Sequence, residues 1–404
     1  MIKLKENQKI LNEIIVIYPE PENQSENKLE KDGQKSRLKQ VLSYGLKNRN
    51  YRIISKPEEL SAVLDEWKKI EKPRAEKGFL KLLFAVELDE NGINTECTKW
   101  LGALRSEKLP LYGCVGGVVV DGKSELYTKN VGRDIVLSAN LSGCSFPGRP
   151  FVEGTLSLCN FNVQAMNKNT DVLNAYCLEV EDLVERLSTF DVIKKEQPKL
   201  LVLHAGREAQ SNTYSLWKFV KDKLVEKNIE VEEISIQNGS VQDCRACLYQ
   251  TCLHFGEADS CFYGGVMVDK VYPALKNCDG LLLLCPNYND ALSANLMAVI
   301  NRMTALYRKV PFFTKDLFAI IVSGYSGSDI VAQQLISSLN MNKAFRLPAR
   351  FAVMEIANNR GEALKLEGIE KRMNAFATYM ENVLKGTIEE KTELISRMEN
   401  FDAY

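Results

Sequence analysis

Lys199-Leu-Leu-Val-Leu-His204-Ala-Gly206-Arg-Glu-Ala-Gln-Ser211-Asn-Thr213 passes from an apolar run into small polar residues, and Tyr214-Ser-Leu-Trp-Lys-Phe-Val220 follows directly. A short apolar run that stops at glycine predicts a buried strand. Ser, Asn and Thr ahead of a helical pattern are N-cap types, so a helix begins near Asn212. A helix start carries unpaired N–H groups and a partial positive charge, and small hydroxyl residues leave room around them. Such a turn suits a phosphate.

Outward from this turn, strand and helix patterns alternate. Apolar runs at Leu200–His204, Val231–Ile236, Gly280–Cys285, Leu317–Val322 and Arg350–Ile356 are separated by helical patterns starting near Asn212, Asp269, Ser293, Asp329 and Gly368. Five strands, each followed by a helix, predict a parallel sheet covered on both faces. The ligand-like loops follow the first and third strands, which is the switch point of a flavodoxin-like doubly wound sheet.

The first half reads the same way. Strands are expected at Glu13–Tyr18, Tyr51–Ser55, Leu80–Leu88, Cys114–Asp121 and Leu156–Val163, with helices near Ser36–Lys47, Pro57–Ile70, Asn94–Glu107, Leu126–Ser138 and Asp171–Leu187. The charged, Pro-marked stretch Asp191–Lys199 marks a boundary. The expected organisation is therefore α/β, with two flavodoxin-like five-stranded parallel sheets in tandem. Residues 1–192 form the first domain, 198–390 the second with a Cys-rich loop at 243–262, and 391–404 a tail. Glu22–Gln34, rich in Glu, Lys, Asn and Ser, reads as a mobile loop. Val120-Asp121-Gly122 is taken as the counterpart of Val322-Ser323-Gly324. The first loop of the first half, Tyr18-Pro-Glu-Pro-Glu-Asn-Gln-Ser-Glu-Asn27, holds three glutamates that would repel a phosphate. The first half thus reads as a degenerate copy. Ser145–Thr155 is expected to be an ordered loop with an Arg149/Glu153 ion pair.

Composition narrows the class. With 404 residues, 26% charged and a formal net charge of −1, there is no basic surplus for nucleic acid. No apolar run approaches the ~18 residues of a membrane span, and no signal-peptide core opens the chain, so a cytoplasmic protein is expected. Seven of the eleven cysteines are dispersed, most of them within or beside apolar runs, where cysteine acts as a small hydrophobe. Only His204 and His254 exist, which excludes a His-rich metal site. His204 is expected to pack near the phosphate turn, and His254 to lie exposed in the Cys loop.

Two further loops refine the ligand. The third strand of the second half runs into Pro286-Asn287-Tyr288-Asn289-Asp290, a rigid turn with aromatic surface and free amides. A flavin ring needs both an apolar or aromatic wall and N–H donors at its edge. The fourth strand ends in Ser323-Gly324-Tyr325-Ser326-Gly327-Ser328, where glycine permits close backbone approach and Tyr325 can cover a ring face. No Gly-Lys-Ser/Thr of a Walker A loop, no Gly-x-Gly-x-x-Gly fingerprint and no Gly-x-Ser-x-Gly elbow is present at these sites.

Together, Gly206-Arg207, Ser211-Asn212-Thr213, Pro286-Asn287-Tyr288, Asn301-Arg302 and the cluster Cys244/Cys247/Cys252/Cys261 resemble the NADPH-dependent FMN reductases and the related iron–sulfur flavoproteins. The resemblance covers about Lys199–Lys385. It lacks the family's phosphate-loop proline and has Asn301 where an aspartate is usual. It implies FMN held by Arg207, Ser211, Asn212 and Thr213, by Pro286, Asn287, Tyr288 and Asn289, and by Ser323, Gly324 and Tyr325. It further implies NAD(P)H as co-substrate, a small-molecule or redox-protein electron acceptor, and a homodimer or homotetramer.

The four clustered cysteines leave three readings open. Cys244 and Cys247 form a CxxC, four residues precede Cys252, and eight more precede Cys261. Four thiolates suit zinc or a [4Fe–4S] cluster, and a CxxC alone suits a redox dithiol. At the level of function, an FMN-dependent NAD(P)H oxidoreductase leads. An iron–sulfur flavoprotein electron carrier and a non-catalytic flavodoxin-like scaffold are its alternatives.

Overall fold

The computed structural model describes residues 11–21, 36–70, 77–106, 108–237 and 239–387. The segments Glu22–Gln34 and 391–404, singled out above, lie outside the described residues. The chain divides after Asp191 into two compact units.

The first unit runs β1 (Glu13–Ile17), α1 (Arg37–Gly45), β2 (Asn50–Ile54), α2 (Pro57–Lys68), β3 (Leu80–Leu88), α3 (Thr95–Arg105), β4 (Cys114–Gly122), α4 (Thr128–Leu141), β5 (Phe151–Gly154), α5 (Asn162–Lys168) and α6 (Val172–Ser188). The second runs β6 (Lys199–His204), α7 (Asn212–Glu226), β7 (Glu230–Ser235), α8 (Tyr249–Glu257), then a π-turn at Met267–Val271 into α9 (Tyr272–Asn277). It continues with β8 (Gly280–Pro286), α10 (Ala294–Tyr307), β9 (Asp316–Ser323), α11 (Ser328–Leu335) with a π-turn at Ile336–Met341, β10 (Ala352–Ile356) and α12 (Ile369–Lys385). The sheets are ordered β2-β1-β3-β4-β5 and β7-β6-β8-β9-β10, parallel throughout. Both are the 2-1-3-4-5 order of a flavodoxin-like sheet.

The strands form where they do because their residues are apolar on both faces. Leu200–Leu203 and Leu281–Leu283 are fully buried, and α7 and α12 lay Trp217, Phe376 and Met380 against one face of the second sheet. Truncating such a leucine to alanine costs about 2–5 kcal/mol. The helices start where side chains cap them: Ser36, Asn94, Asp171, Ser211 and Ser293 each accept a backbone N–H in the first turn, worth ~1 kcal/mol apiece.

Three expectations are corrected. The fifth strand of the first unit is Phe151–Gly154, not Leu156–Val163. In the latter stretch Leu158 has φ 57°, while Leu156 and Val163 are exposed, so its apolar residues do not make a strand. Arg149 pairs with Glu179 at 3.2 Å, not with Glu153, which binds Thr128 and Lys129 instead. Within the Cys-rich loop, α8 forms a helix that the sequence reading did not anticipate, and His254 is exposed on it.

The two units repeat one another down to their irregularities. Tyr127 and Gly327 are the N-caps of α4 and α11, with φ 78° and 86°. Buried Asn140 and Asn340 each donate from Nδ2 to a backbone oxygen just past the helix, on Cys144 and Phe345. Arg149 and Arg350 follow a Pro-x pair and both adopt positive φ, 54° and 47°. Strand register sets Asp121 opposite Gly154 and Val322 opposite Glu355. Asp121 therefore corresponds to Val322, one residue away from the Ser323 match drawn from sequence.

Candidate functional site

The C-terminal ends of β6, β8 and β9 bring the three loops of the second unit to one edge of its sheet, because the strands are adjacent and parallel. After β6, Gln210 N–H bonds Arg207 O at 3.0 Å and closes a tight turn. Ser211 Oγ accepts from Tyr214 N–H at 3.2 Å and meets Thr213 Oγ1 at 2.7 Å. A Cβ on Gly206 would sit 3.3 Å from Ser211, so glycine keeps this turn close. Arg207 is exposed on the loop. Asn212 turns elsewhere: its Nδ2 donates to Ala357 O and Asn359 O, and its Oδ1 accepts from Gly361 N–H. Its side chain thus ties the helix start to the loop after β10.

After β8, Tyr288 and Ala291 exchange both backbone hydrogen bonds at 3.1 Å. Asn289 and Asp290 between them have φ 53° and 57°, the geometry of a type I′ turn. Asn287 Nδ2 donates to Ser323 Oγ at 3.0 Å and Ser326 O at 2.9 Å, joining the β8 and β9 loops. Asn287 Oδ1 is buried without a partner. Ser323 is fully buried, its hydroxyl shared with Asn287 and Ser328, so it shapes the loop from inside. A Cβ on Gly327 would come 2.0 Å from Asp290 Oδ1, which accounts for glycine there. Tyr288 and Tyr325 are exposed at 54% and 78%, and Asn358 Nδ2 holds Tyr325 OH at 3.0 Å. Pro286 ends β8 opposite Val322, and Gly324 lies beneath Asn358.

These features fit a flavin mononucleotide. A capped helix start with small hydroxyls suits a phosphate, exposed tyrosines offer a wall, and the unpartnered Asn287 Oδ1 offers an acceptor for a ring N–H.

Sequence reading missed the support beneath the phosphate turn. Glu233 on β7 accepts from Tyr214 OH at 2.8 Å, Trp217 Nε1 at 3.0 Å and Lys221 Nζ at 3.1 Å. Burial pushes its carboxyl up, but these donors outweigh burial and hold it below the usual range. His204 is buried, with Nε2 3.5 Å from Glu233 and its ring 5.1 Å from that of Tyr214. His204, Glu208 and Glu233 bring ligand-type atoms within 4.8 Å of one another. Of these, Glu233 is already held by the Lys221 ammonium and two neutral donors. The legible signal was Tyr214, Trp217 and Lys221 at helical spacing opposite a glutamate in a strand.

Cys244, Cys247, Cys252 and Cys261 line a single cavity of about 220 Å³, with Asn301 and Arg302 from α10 and Arg308 at its C-cap. All four are free thiols. Asn301 Nδ2 donates to Asp243 Oδ1 at 2.9 Å and anchors the start of the loop. Among the described residues, no three of these sulfurs lie within 4.8 Å of one another.

The first unit fills the matching place differently. Arg37, at the start of α1, bridges Asp121 in bidentate fashion at 2.9 and 3.0 Å and donates to Leu156 O at 3.0 Å. Leu156 corresponds to Ala357, the acceptor of Asn212. Burial raises the Asp121 carboxyl, and Arg37 offsets part of that rise.

Comparison with known proteins matches residues 198–358 to the family model of the NADPH-dependent FMN reductases. An iron–sulfur flavoprotein of Archaeoglobus fulgidus is 25% identical over 183 residues, covering 44% of this chain and 87% of that protein. Among solved structures, the rubredoxin oxygen:oxidoreductase of Desulfovibrio gigas is 12% identical at TM-score 0.32, over 58% of this chain. The match spans 42% of that protein, less than half its length. An NAD(P)H:quinone oxidoreductase of Methanothermobacter marburgensis is 12% identical at TM-score 0.35, over 46% of this chain and 98% of that one.

Proposed function

We propose that the second unit, whose residues 198–358 match the family model of the NADPH-dependent FMN reductases, binds FMN at the ends of β6, β8 and β9, accepts reducing equivalents from NAD(P)H and passes them to a small acceptor. The coarser statement, that this unit is a flavin-dependent oxidoreductase, follows from the family. The observation that carries the finer reading is the joined loop pair, with Asn287 bonded to Ser323 and Ser326 while its Oδ1 stays buried and free.

FMN, when bound, supplies the redox chemistry. The chain's own residues bind and orient it. Ser211, Thr213 and the first amides of α7 anchor the phosphate, with Arg207 adding a charge-assisted contact. The turn at Asn287–Asn289 addresses the ring edge, and Tyr288 and Tyr325 wall the ring. Asn212 and Ser323 serve by fixing the loops. We read the first unit as flavin-free, because Asp121 sets a carboxylate near the equivalent helix start. The working protein is proposed to be a cytoplasmic homodimer or homotetramer. No helix among the described residues is long and apolar enough to cross a membrane.

Flavin extraction from the purified full chain, followed by anaerobic NADPH titration, tests the reading. One FMN per chain that bleaches with NADPH supports it. A protein that stays colourless after incubation with FMN overturns it and leaves a scaffold.

The four-thiol cavity favours a second reading, in which the same chain carries a [4Fe–4S] cluster and acts as an electron carrier. Its support is the donor set: four thiols lining one cavity, with two guanidinium groups beside them. Iron and acid-labile sulfide analysis on the anaerobic protein separates this from a metal-free dithiol.

A further inference from the structure

Arg302 is 3% exposed, lines the four-thiol cavity, and has a single side-chain hydrogen bond, from Nη2 to Gly264 O at 2.7 Å. Its Nε is buried and unpartnered. Elsewhere the second unit pairs its buried guanidinium: Arg346 faces Asp316 at 3.4 Å. Neither Arg302 nor Arg308 forms an ion pair with a carboxylate among the described residues. A buried charge without a partner is costly enough that proteins seldom keep one. Arg302 and the four thiols line the same cavity.

Arg308 stands at the cavity mouth, its guanidinium 4.5 Å over the Tyr249 ring and its Nε 3.4 Å from Cys252 Sγ. The ring contact fixes the charge against one sulfur. We propose that Arg302 and Arg308 are the counter-charges of an anionic four-thiolate centre, and that Arg308 sets its reduction potential through Cys252. The inference rests on the iron–sulfur reading above. Four cysteine thiolates on an oxidised [4Fe–4S] core make a dianion, which two arginines neutralise. One-electron reduction adds a further negative charge, and a hydrogen bond with positive charge at a ligand sulfur favours that reduced form. Arg308 is thus a positioning and tuning residue. The electron in the test comes from dithionite.

The experiment uses the full chain reconstituted anaerobically with ferrous iron and sulfide, titrated potentiometrically with dithionite. Arg308→Gln is expected to shift the reduction equilibrium at least tenfold toward the oxidised form, about 59 mV for one electron. Arg308→Lys, which keeps the charge, should recover most of that shift. A cluster at full iron content with an unmoved potential in Arg308→Gln overturns the role of Arg308. Failure of the wild-type chain to take up iron and sulfide overturns the reading beneath it. For Arg302, Gln and Lys variants are compared by iron content. Loss in Gln with retention in Lys supports a counter-charge, whereas equal loss in both, or in neither, overturns it.

Discussion

Asn287 and Ser323 stand 3.0 Å apart, amide to hydroxyl, across the gap between the ends of β8 and β9. The contact makes two loops one surface, and the amide's other end is the buried, unpartnered Oδ1. Asn287→Ala removes both functions. FMN affinity is expected to fall about tenfold, or ~1.4 kcal/mol, with little change in melting temperature of the flavin-free protein. Flavin fluorescence titration measures it, and unchanged affinity would remove Asn287 from the site.

Ser211 caps α7 and shares a hydrogen bond with Thr213. Ser211→Ala should cost about 1 kcal/mol of stability. If the α7 start holds the phosphate, FMN binding should weaken while riboflavin binding, already lacking a phosphate, hardly changes. Equal losses for both flavins would place the phosphate elsewhere.

Arg37 and Asp121 should matter for stability and not for flavin. The pair is bidentate, with Asp121 side chain 9% exposed and Arg37 26%. Breaking a fully buried pair costs ~3–5 kcal/mol, and partial exposure of Arg37 lowers the expectation for Arg37→Ala to roughly 2–3 kcal/mol. Chemical denaturation reads the loss of the first unit's stability. Flavin stoichiometry should stay at one per chain, and a second equivalent bound by the variant would mean the first unit had been a blocked flavin site.

Glu233 gives a pH signature. Its carboxyl lies below the ordinary range because Trp217, Tyr214 and Lys221 outweigh burial. A depressed folded value means the stabilisation is fully present above the unfolded value of about pH 4.3 and is lost as pH falls through the lower folded value. Glu233→Gln should therefore lower the melting temperature at pH 7 and flatten its fall below pH 4.3. Parallel pH profiles for variant and wild type would show that the carboxylate charge is not what these donors stabilise.

Much of the fold was legible because a parallel strand buried on both faces reads as an unbroken apolar run, as in Leu200–Leu203 and Leu281–Cys285. The exception is instructive. β5 is four residues long and ends in glycine, whereas the longer apolar stretch after it is bent by Leu158 at positive φ. Pattern length misled where backbone conformation ruled. At the site, loop composition identified the turns but not the direction of each side chain. Asn212 and Ser323 carry the residue types of ligand contacts, yet their polar atoms are engaged within the protein.

The sequence by itself determined the two α/β units, their boundary region, and the loops at the switch point of the second, since hydrophobic runs and N-cap residues act locally. Only the tertiary structure decided that Arg37 fills the equivalent place in the first unit, that Glu233 supports the start of α7, and that four cysteines share one cavity with Arg302 and Arg308. Those relationships join residues 12 to 119 positions apart. They arise from strand register and helix packing, which bring distant side chains together at distances that no local pattern encodes.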